Sequence, residues 1–301
     1  MSDSLPNTGL PVEEAIAELR DALASRRHSV LIAPPGAGKT TLVPLRLLHE
    51  NWVAGRKIVM LEPRRLAARA AAQRMAYMLG EKVGDTVGYQ TRDERKIGAN
   101  TRIEVLTEGI LTRRLQNDPT LDGTALVILD EVHERNVPTD LGLAFLLDAI
   151  KTFSTDVKIL AMSATAQTQL FAHVLADDKG DAPIVTSEGR TFPIDVRYVP
   201  RQRNDRLENA ITDVVLGALN TDDGDILVFL PGIGEINRAQ TLLKERVAGN
   251  VDVLRLAGAL PFSEQDAALN ASGLGRRRVV LSTDIAETSL TVDGVHIVVD
   301  A

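Results

Sequence analysis

The chain contains no cysteine, which excludes disulfide staples and any zinc site built on thiolates. Its histidines (His28, His49, His133, His173 and His296) are scattered, and no pair of them falls at metal-ligand spacing. No apolar run approaches the ~18 residues that a membrane span requires. The opening MSDSLPNTGL has neither the basic start nor the apolar core of a signal peptide, so a cytoplasmic enzyme with no membrane partner is expected. Positive charge is also scarce. Lys and Arg number 34 against 41 Asp and Glu, a net charge of −7. That balance argues against gripping nucleic acid by bulk positive charge, though it leaves room for a narrow basic track.

What remains is ordinary for a globular chain, with 44% hydrophobic and 25% charged residues over 301 positions. The length suggests two domains of about 150 residues each. Short apolar segments alternate with helical patterns: Ser29–Ala33, Lys57–Leu61, Arg102–Leu106, Ala125–Leu129 and Lys158–Met162 read as strands. The intervening stretches 12–25, 66–79, 108–116 and 141–150 read as helices. This alternation predicts a parallel α/β sheet covered on both faces, with ligands at the strand C-terminal ends. A Gly-, Pro- and acid-rich stretch at 177–193 suits a domain boundary. A second alternating set follows, with strands expected at 194–199, 226–230, 251–256, 278–281 and 296–299.

One stretch organises the chemistry. Val30-Leu31-Ile32 feeds the loop Ala33-Pro34-Pro35-Gly36-Ala37-Gly38, which delivers Lys39-Thr40-Thr41 into a helical pattern. Strand, Gly-rich loop and helix in that order form the context of a Walker A phosphate loop. Gly36 and Gly38 let backbone N–H groups converge on phosphate oxygens, and the helix N-terminus adds its positive dipole end. Lys39 can reach the β- and γ-phosphates, and the Thr40 hydroxyl can ligate Mg²⁺. Ala33 stands where the strict pattern has its first glycine. Pro44, inside the expected helix, removes one backbone hydrogen bond and reads as a local bend.

Asp130-Glu131 follow an apolar strand. Such a pair is often only a helix N-cap. Coupled with Lys39-Thr40 it reads as a Walker B pair, Asp130 holding Mg²⁺ and Glu131 orienting or deprotonating the attacking water. The site then takes ATP with Mg²⁺.

The tetrad continues through Val132-His133, and here the sequence resembles the superfamily 2 helicases, specifically the DEAH/DExH-box group and its bacterial ATP-dependent members. The resemblance runs in order along almost the whole chain: PRRLAAR (63–69), TEG (107–109), DEVH (130–133), SAT (163–165), ILVFLPG (226–232) and STDIAETSLTVDG (282–294). It implies two RecA-like P-loop NTPase domains with parallel sheets, a helicase ATP-binding domain at 1–190 and a second RecA-like domain at 191–301. ATP and a single nucleic acid strand, RNA more than DNA, would bind across their cleft. On the same resemblance, His133 would link the nucleotide site to Ser163 and Thr165, where the plainer alternative is a satisfied core histidine. Arg64, Arg65, Arg92 and Thr107 would contact the nucleic acid backbone from the first domain, and Thr283 and Thr291 from the second. Such groups hold register on phosphates without reading sequence. For Arg92 a solvated loop arginine is the alternative. Arg74 would stack on adenine and Asp293 would meet the ribose. Glu287 is read as structural, and Arg276-Arg277-Arg278 as a solvated entry to a strand.

In that group a QRxGRxGR-like segment with γ-phosphate arginines lies further on, and nothing here matches it. The chain therefore reads as part of a longer protein whose second domain is incomplete. The rival readings are a module that binds ATP and nucleic acid without turnover, and a P-loop ATPase that remodels protein.

Overall fold

The computed structural model describes residues 6–165, 168–189, 193–201, 204–270, 273, 275–286, 292 and 294–301. The chain divides into two compact units, Met1–Phe192 and Pro193–Ala301.

In the first unit the strands are β1 (His28–Ile32), β2 (Lys57–Leu61), β3 (Val87–Gln90), β4 (Arg95–Lys96), β5 (Ile103–Leu106), β6 (Thr124–Leu129), β7 (Lys158–Ser163) and β8 (Ile184–Thr186). The helices are α1 (Ile16–Ser25), α2 (Lys39–Leu47), α3 (Arg65–Leu79), α4 (Glu108–Asn117), α5 (Val137–Phe153) and α6 (Gln169–Val174). Among the described residues these strands form one sheet, ordered β4-β3-β5-β2-β6-β7-β1-β8. All pairings are parallel except the hairpin of β3 with β4. The central strands are buried along their length, as β6 shows from Thr124 to Leu129. Helices cover both faces, which is why these strands read as continuous apolar runs rather than alternating ones. One apolar layer joins α1, α2 and α3 to one face, and another joins α4, α5 and α6 to the other.

The second unit holds α7 (Leu207–Thr221), β9 (Asp225–Phe229), α8 (Ile233–Arg246), β10 (Val251–Leu256), α9 (Phe262–Leu269), β11 (Arg277–Ser282) and β12 (Val295–Asp300). Its parallel sheet runs β10-β11-β9-β12.

The structure corrects several expectations. The stretch 177–193 also holds a strand that was not expected, β8, which pairs with β1. Residues 194–199 form no strand, and Ile194 and Tyr198 are 85% and 92% exposed. Their apolar alternation suits a pleated, half-buried surface, but β propensity is realised only where a neighbouring strand is at hand. The β3–β4 hairpin was not legible, since β4 is a two-residue, charged, exposed piece. Helix α5 begins before Leu141, with a proline in its first turn where no N–H is needed. Helix α2, by contrast, runs on through Pro44 to Leu47, as expected of a proline that does not end the helix. The arginine run at 276–278 is solvated only at its start, where Arg276 is exposed. Arg278 is 0% exposed and its Nε donates to Asp225 Oδ2 at 2.7 Å.

Candidate nucleotide site

The chain leaves β1 at Ala33, fully buried, whose N–H donates to the Ser163 carbonyl at 3.0 Å. The loop closes on itself through Ala37 N–H to Pro34 O at 3.2 Å and is anchored from outside by Val12 N–H to Ala37 O at 3.1 Å. Pro35 and Gly36 are exposed at its tip. Gly36 and Gly38 have φ of +75° and +90°, where L-residues pay about 1–2 kcal/mol. Gly38 is doubly constrained, because a Cβ there would lie 2.7 Å from Leu10 Cδ1. Lys39 opens α2, with Thr40 and Thr41 in its first turn, so unsatisfied helix N–H groups face the loop.

β1 and β6 are not neighbours; β7 lies between them. The residues at their ends must therefore span about 10 Å, two strand spacings. Lys39 approaches from the start of α2 rather than from the end of β1, and its Nζ donates to Glu131 Oε1 at 2.9 Å. Burial works against the Lys39 charge, but Asp130 and Glu131 outweigh it and raise its pKa, with Glu62 adding to their field. Thr40 Oγ1 donates to Asp130 Oδ2 at 2.6 Å, and Glu131 N–H donates to Asp130 Oδ1 at 2.9 Å. Asp130 is pushed up to about 6, by burial first and by the neighbouring Glu131 charge, with Lys39 opposing. Mg²⁺ fits this donor set. It commonly takes one or two carboxylates and completes its shell with phosphates and waters. Thr40 and Asp130 would hold it, where it would neutralise charge on a transferred phosphoryl group.

Beyond Glu131 the chain makes a tight 3₁₀ turn, Val132–Glu134, flanked by Glu131 and Arg135 at φ +51° and +52°. His133 Nδ1 lies 3.3 Å from Glu131 Oε2 and accepts the Ala164 N–H, also at 3.3 Å. Contact with the 163–165 loop is thus made by the Ala164 backbone. The Ser163 and Thr165 groups engage each other: Thr165 N–H donates to Ser163 Oγ, and Ser163 Oγ donates to Thr165 O, each at 3.1 Å. Ala164 carries no side-chain signal that sequence reading could have used.

The remaining candidates sort along the same sheet edge. Arg64 caps α3 after β2, and its Nη2 lies 3.6 Å from Glu134 Oε1. Arg65 pairs with Asp93, beside exposed Arg92 in the β3–β4 turn. Thr107 caps α4 after β5, and its N–H donates to Gln90 O at 3.2 Å. Arg64, Arg65, Arg92 and Thr107 therefore gather on the β2-β5-β3 half of the edge, while the phosphate loop and Asp130-Glu131 occupy the β1-β7-β6 half. Arg74 is exposed on α3 with its guanidinium 5.7 Å from the Tyr77 ring centre. In the second unit Thr283 follows β11, and its N–H donates to Leu256 O at 3.3 Å. Thr291, Asp293 and Glu287 lie outside the described residues.

A parallel sheet flanked by helices, with a phosphate loop after β1 and an Asp-Glu pair after β6, is the arrangement of a RecA-like helicase core. The profile of the DEAD/DEAH box helicases matches residues 13–172, and that of the helicase conserved C-terminal domain matches 204–301. The chain belongs to the DEAD/DEAH box helicase family.

Among its relatives is the ATP-dependent RNA helicase HrpB of Escherichia coli strain K12, 47% identical over 293 residues. That match covers 97% of this chain and 36% of the relative. The chain thus spans about a third of that protein's length. A crystal structure described as the E. coli DEAH/RHA helicase HrpB superposes with a TM-score of 0.87 at 47% identity, over 97% of this chain and 37% of that one. A second, described as the E. coli DExH-box NTPase HrpB, gives 0.76 at 46% identity, over 99% and 36%.

Proposed function

We propose that this chain is the ATP-binding core of an ATP-dependent helicase that hydrolyses ATP with Mg²⁺ and uses the energy to translocate on or unwind nucleic acid, RNA in preference to DNA. One observation carries the hydrolytic half. Lys39, Thr40, Asp130 and Glu131, from segments that follow two non-adjacent strands, are linked by hydrogen bonds at a phosphate-binding loop. Lys39 would neutralise the β- and γ-phosphates, Glu131 would orient or deprotonate the attacking water, and His133 would transmit the state of the site to the 163–165 loop. The reading assigns ATP binding to a domain at 1–190 and a second RecA-like domain to 191–301, with the cytoplasm as the compartment. The preference for RNA is supported by the relative in E. coli, an ATP-dependent RNA helicase. Arg64, Arg65, Arg92, Thr107, Thr283 and Thr291 are the candidate strand contacts.

The test is ATP hydrolysis by the natural full-length protein with RNA and DNA single strands compared side by side. RNA should stimulate more than DNA, and Lys39→Ala and Glu131→Gln should each abolish turnover. Activity that survives both substitutions refutes the assignment. Hydrolysis indifferent to either strand favours a protein-remodelling ATPase, and ATP binding without turnover favours a binding module.

A further inference from the structure

The turn after Asp130-Glu131 is entered and left through left-handed, non-glycine residues, Glu131 and Arg135. Such backbone persists only where its surroundings over-determine it. Each residue of the turn is pinned. Val132 is buried, His133 reaches the Ala164 amide, and Arg135 binds Asp140 at 2.9 Å and lies 5.6 Å from the Phe171 ring centre. Glu134 points the other way along the sheet edge. Its Oε1 lies 3.6 Å from Arg64 Nη2, and its Oε2 accepts from Asn136 Nδ2 at 3.0 Å. One strained turn therefore touches the loop after β7 through His133 and the loop after β2 through Glu134.

Arg64 is also a candidate phosphate contact. A strand phosphate competes with the Glu134 carboxylate, 3.6 Å away, for the N–H donors of the Arg64 guanidinium. We infer that Glu134 is a positioning residue that couples strand binding to the nucleotide site: it holds Arg64 while no strand is bound, yields it to a strand phosphate, and so removes one of the restraints on the turn that carries His133. This rests on the helicase reading above. The neighbourhood supports it. Glu108, bonded to Thr139 on α5, has its pKa raised, by burial first and also by the Glu134 charge. The corner therefore holds two carboxylates, and removing the Arg64 cation leaves them facing each other's charge.

The experiment is Glu134→Gln in the natural full-length protein. Glutamine keeps the size and can still accept from Asn136, but offers Arg64 no charge. RNA affinity should rise about two- to fivefold, the range a partly exposed ion pair commands, with an unchanged salt slope. Stimulation of ATP hydrolysis by RNA should fall several-fold while KM for ATP stays. Arg64→Gln, in contrast, should weaken RNA binding and make the salt slope shallower by about 0.7, one phosphate contact on a single strand. Glu134→Asp keeps the charge at shorter reach and should restore most of the stimulation. Unchanged affinity and stimulation in Glu134→Gln, or equal behaviour of Gln and Asp, overturns the coupling role. Absence of RNA stimulation in the unsubstituted protein overturns the helicase reading itself, so the two failures are distinguishable.

Discussion

Lys39 and Glu131 form an ion pair at 2.9 Å with side-chain exposures of only 6% and 5%. The pair bridges two strand ends that are not adjacent in the sheet, so it ties the phosphate loop to the acidic loop directly. Asp130 sits beside it with a raised pKa. The site thus sets the Lys39 ammonium against the carboxylates of Asp130 and Glu131, with Glu62 adding its charge, in a place largely closed to water.

Removing the ammonium alone should therefore cost more than removing the pair. Lys39→Met leaves buried carboxylates uncompensated and should destabilise the chain by about 3 kcal/mol, the lower end for a broken buried pair. Lys39→Met combined with Glu131→Leu should recover part of that loss. Denaturant melts of the single and double variants give the coupling, and additive effects would contradict it.

The two loop glycines should differ in tolerance. Gly36→Ala meets open space and carries only the left-handed penalty, about 1 kcal/mol. Gly38→Ala adds the encounter with Leu10 Cδ1 at 2.7 Å, so it should be the more destabilising. If Leu10→Ala in the Gly38→Ala background makes room, the clash is the cause. Urea midpoints of the variants decide it.

His28 should impose a pH dependence on stability. It is buried at the start of β1, and its Nδ1 accepts the Ile159 N–H at 3.1 Å. Burial first, and the Arg27 charge next, lower its pKa from 6.5 to about 4. The unfolded chain then binds more protons than the folded one between those values, so stability falls as pH drops from 6.5 towards 4 and levels off below. The whole step amounts to roughly 3 kcal/mol. His28→Asn retains an acceptor for Ile159 without the titration. Its stability should vary less across that window, as read by melts at successive pH values.

Arg278 should matter to the second unit out of proportion to its place in a basic run. Its guanidinium donates to Asp225 and to the carbonyls of Ala268 and Asn270, joining β11, β9 and the end of α9. Arg278→Ala strands those acceptors and should cost about 3–5 kcal/mol. Arg278→Lys should rescue little, because an ammonium lacks the planar fork that serves several acceptors at once. Arg276→Ala, which loses an exposed pair with Asp252, should change stability by under about 1 kcal/mol. Thermal unfolding of the intact chain separates these cases.

Much of this molecule is written locally. Apolar runs bounded by polar clusters marked the central strands, because strands buried on both faces carry few polar residues. Gly36 and Gly38 marked a loop whose backbone only glycine adopts without cost. The ordered motifs marked the family, and PRRLAAR, TEG, DEVH and SAT fall at strand ends, where a parallel sheet places its ligands. Periodicity identifies which residues are buried, but not which strand ends become neighbours. Only tertiary structure set β7 between β1 and β6, turned Glu134 towards Arg64, and gave His133 the Ala164 amide in place of the Ser163 and Thr165 side chains. It also buried Arg278 and left the strand-like 194–199 segment unpaired. Those outcomes depend on partners distant in sequence, and a local pattern carries no information about which partner arrives.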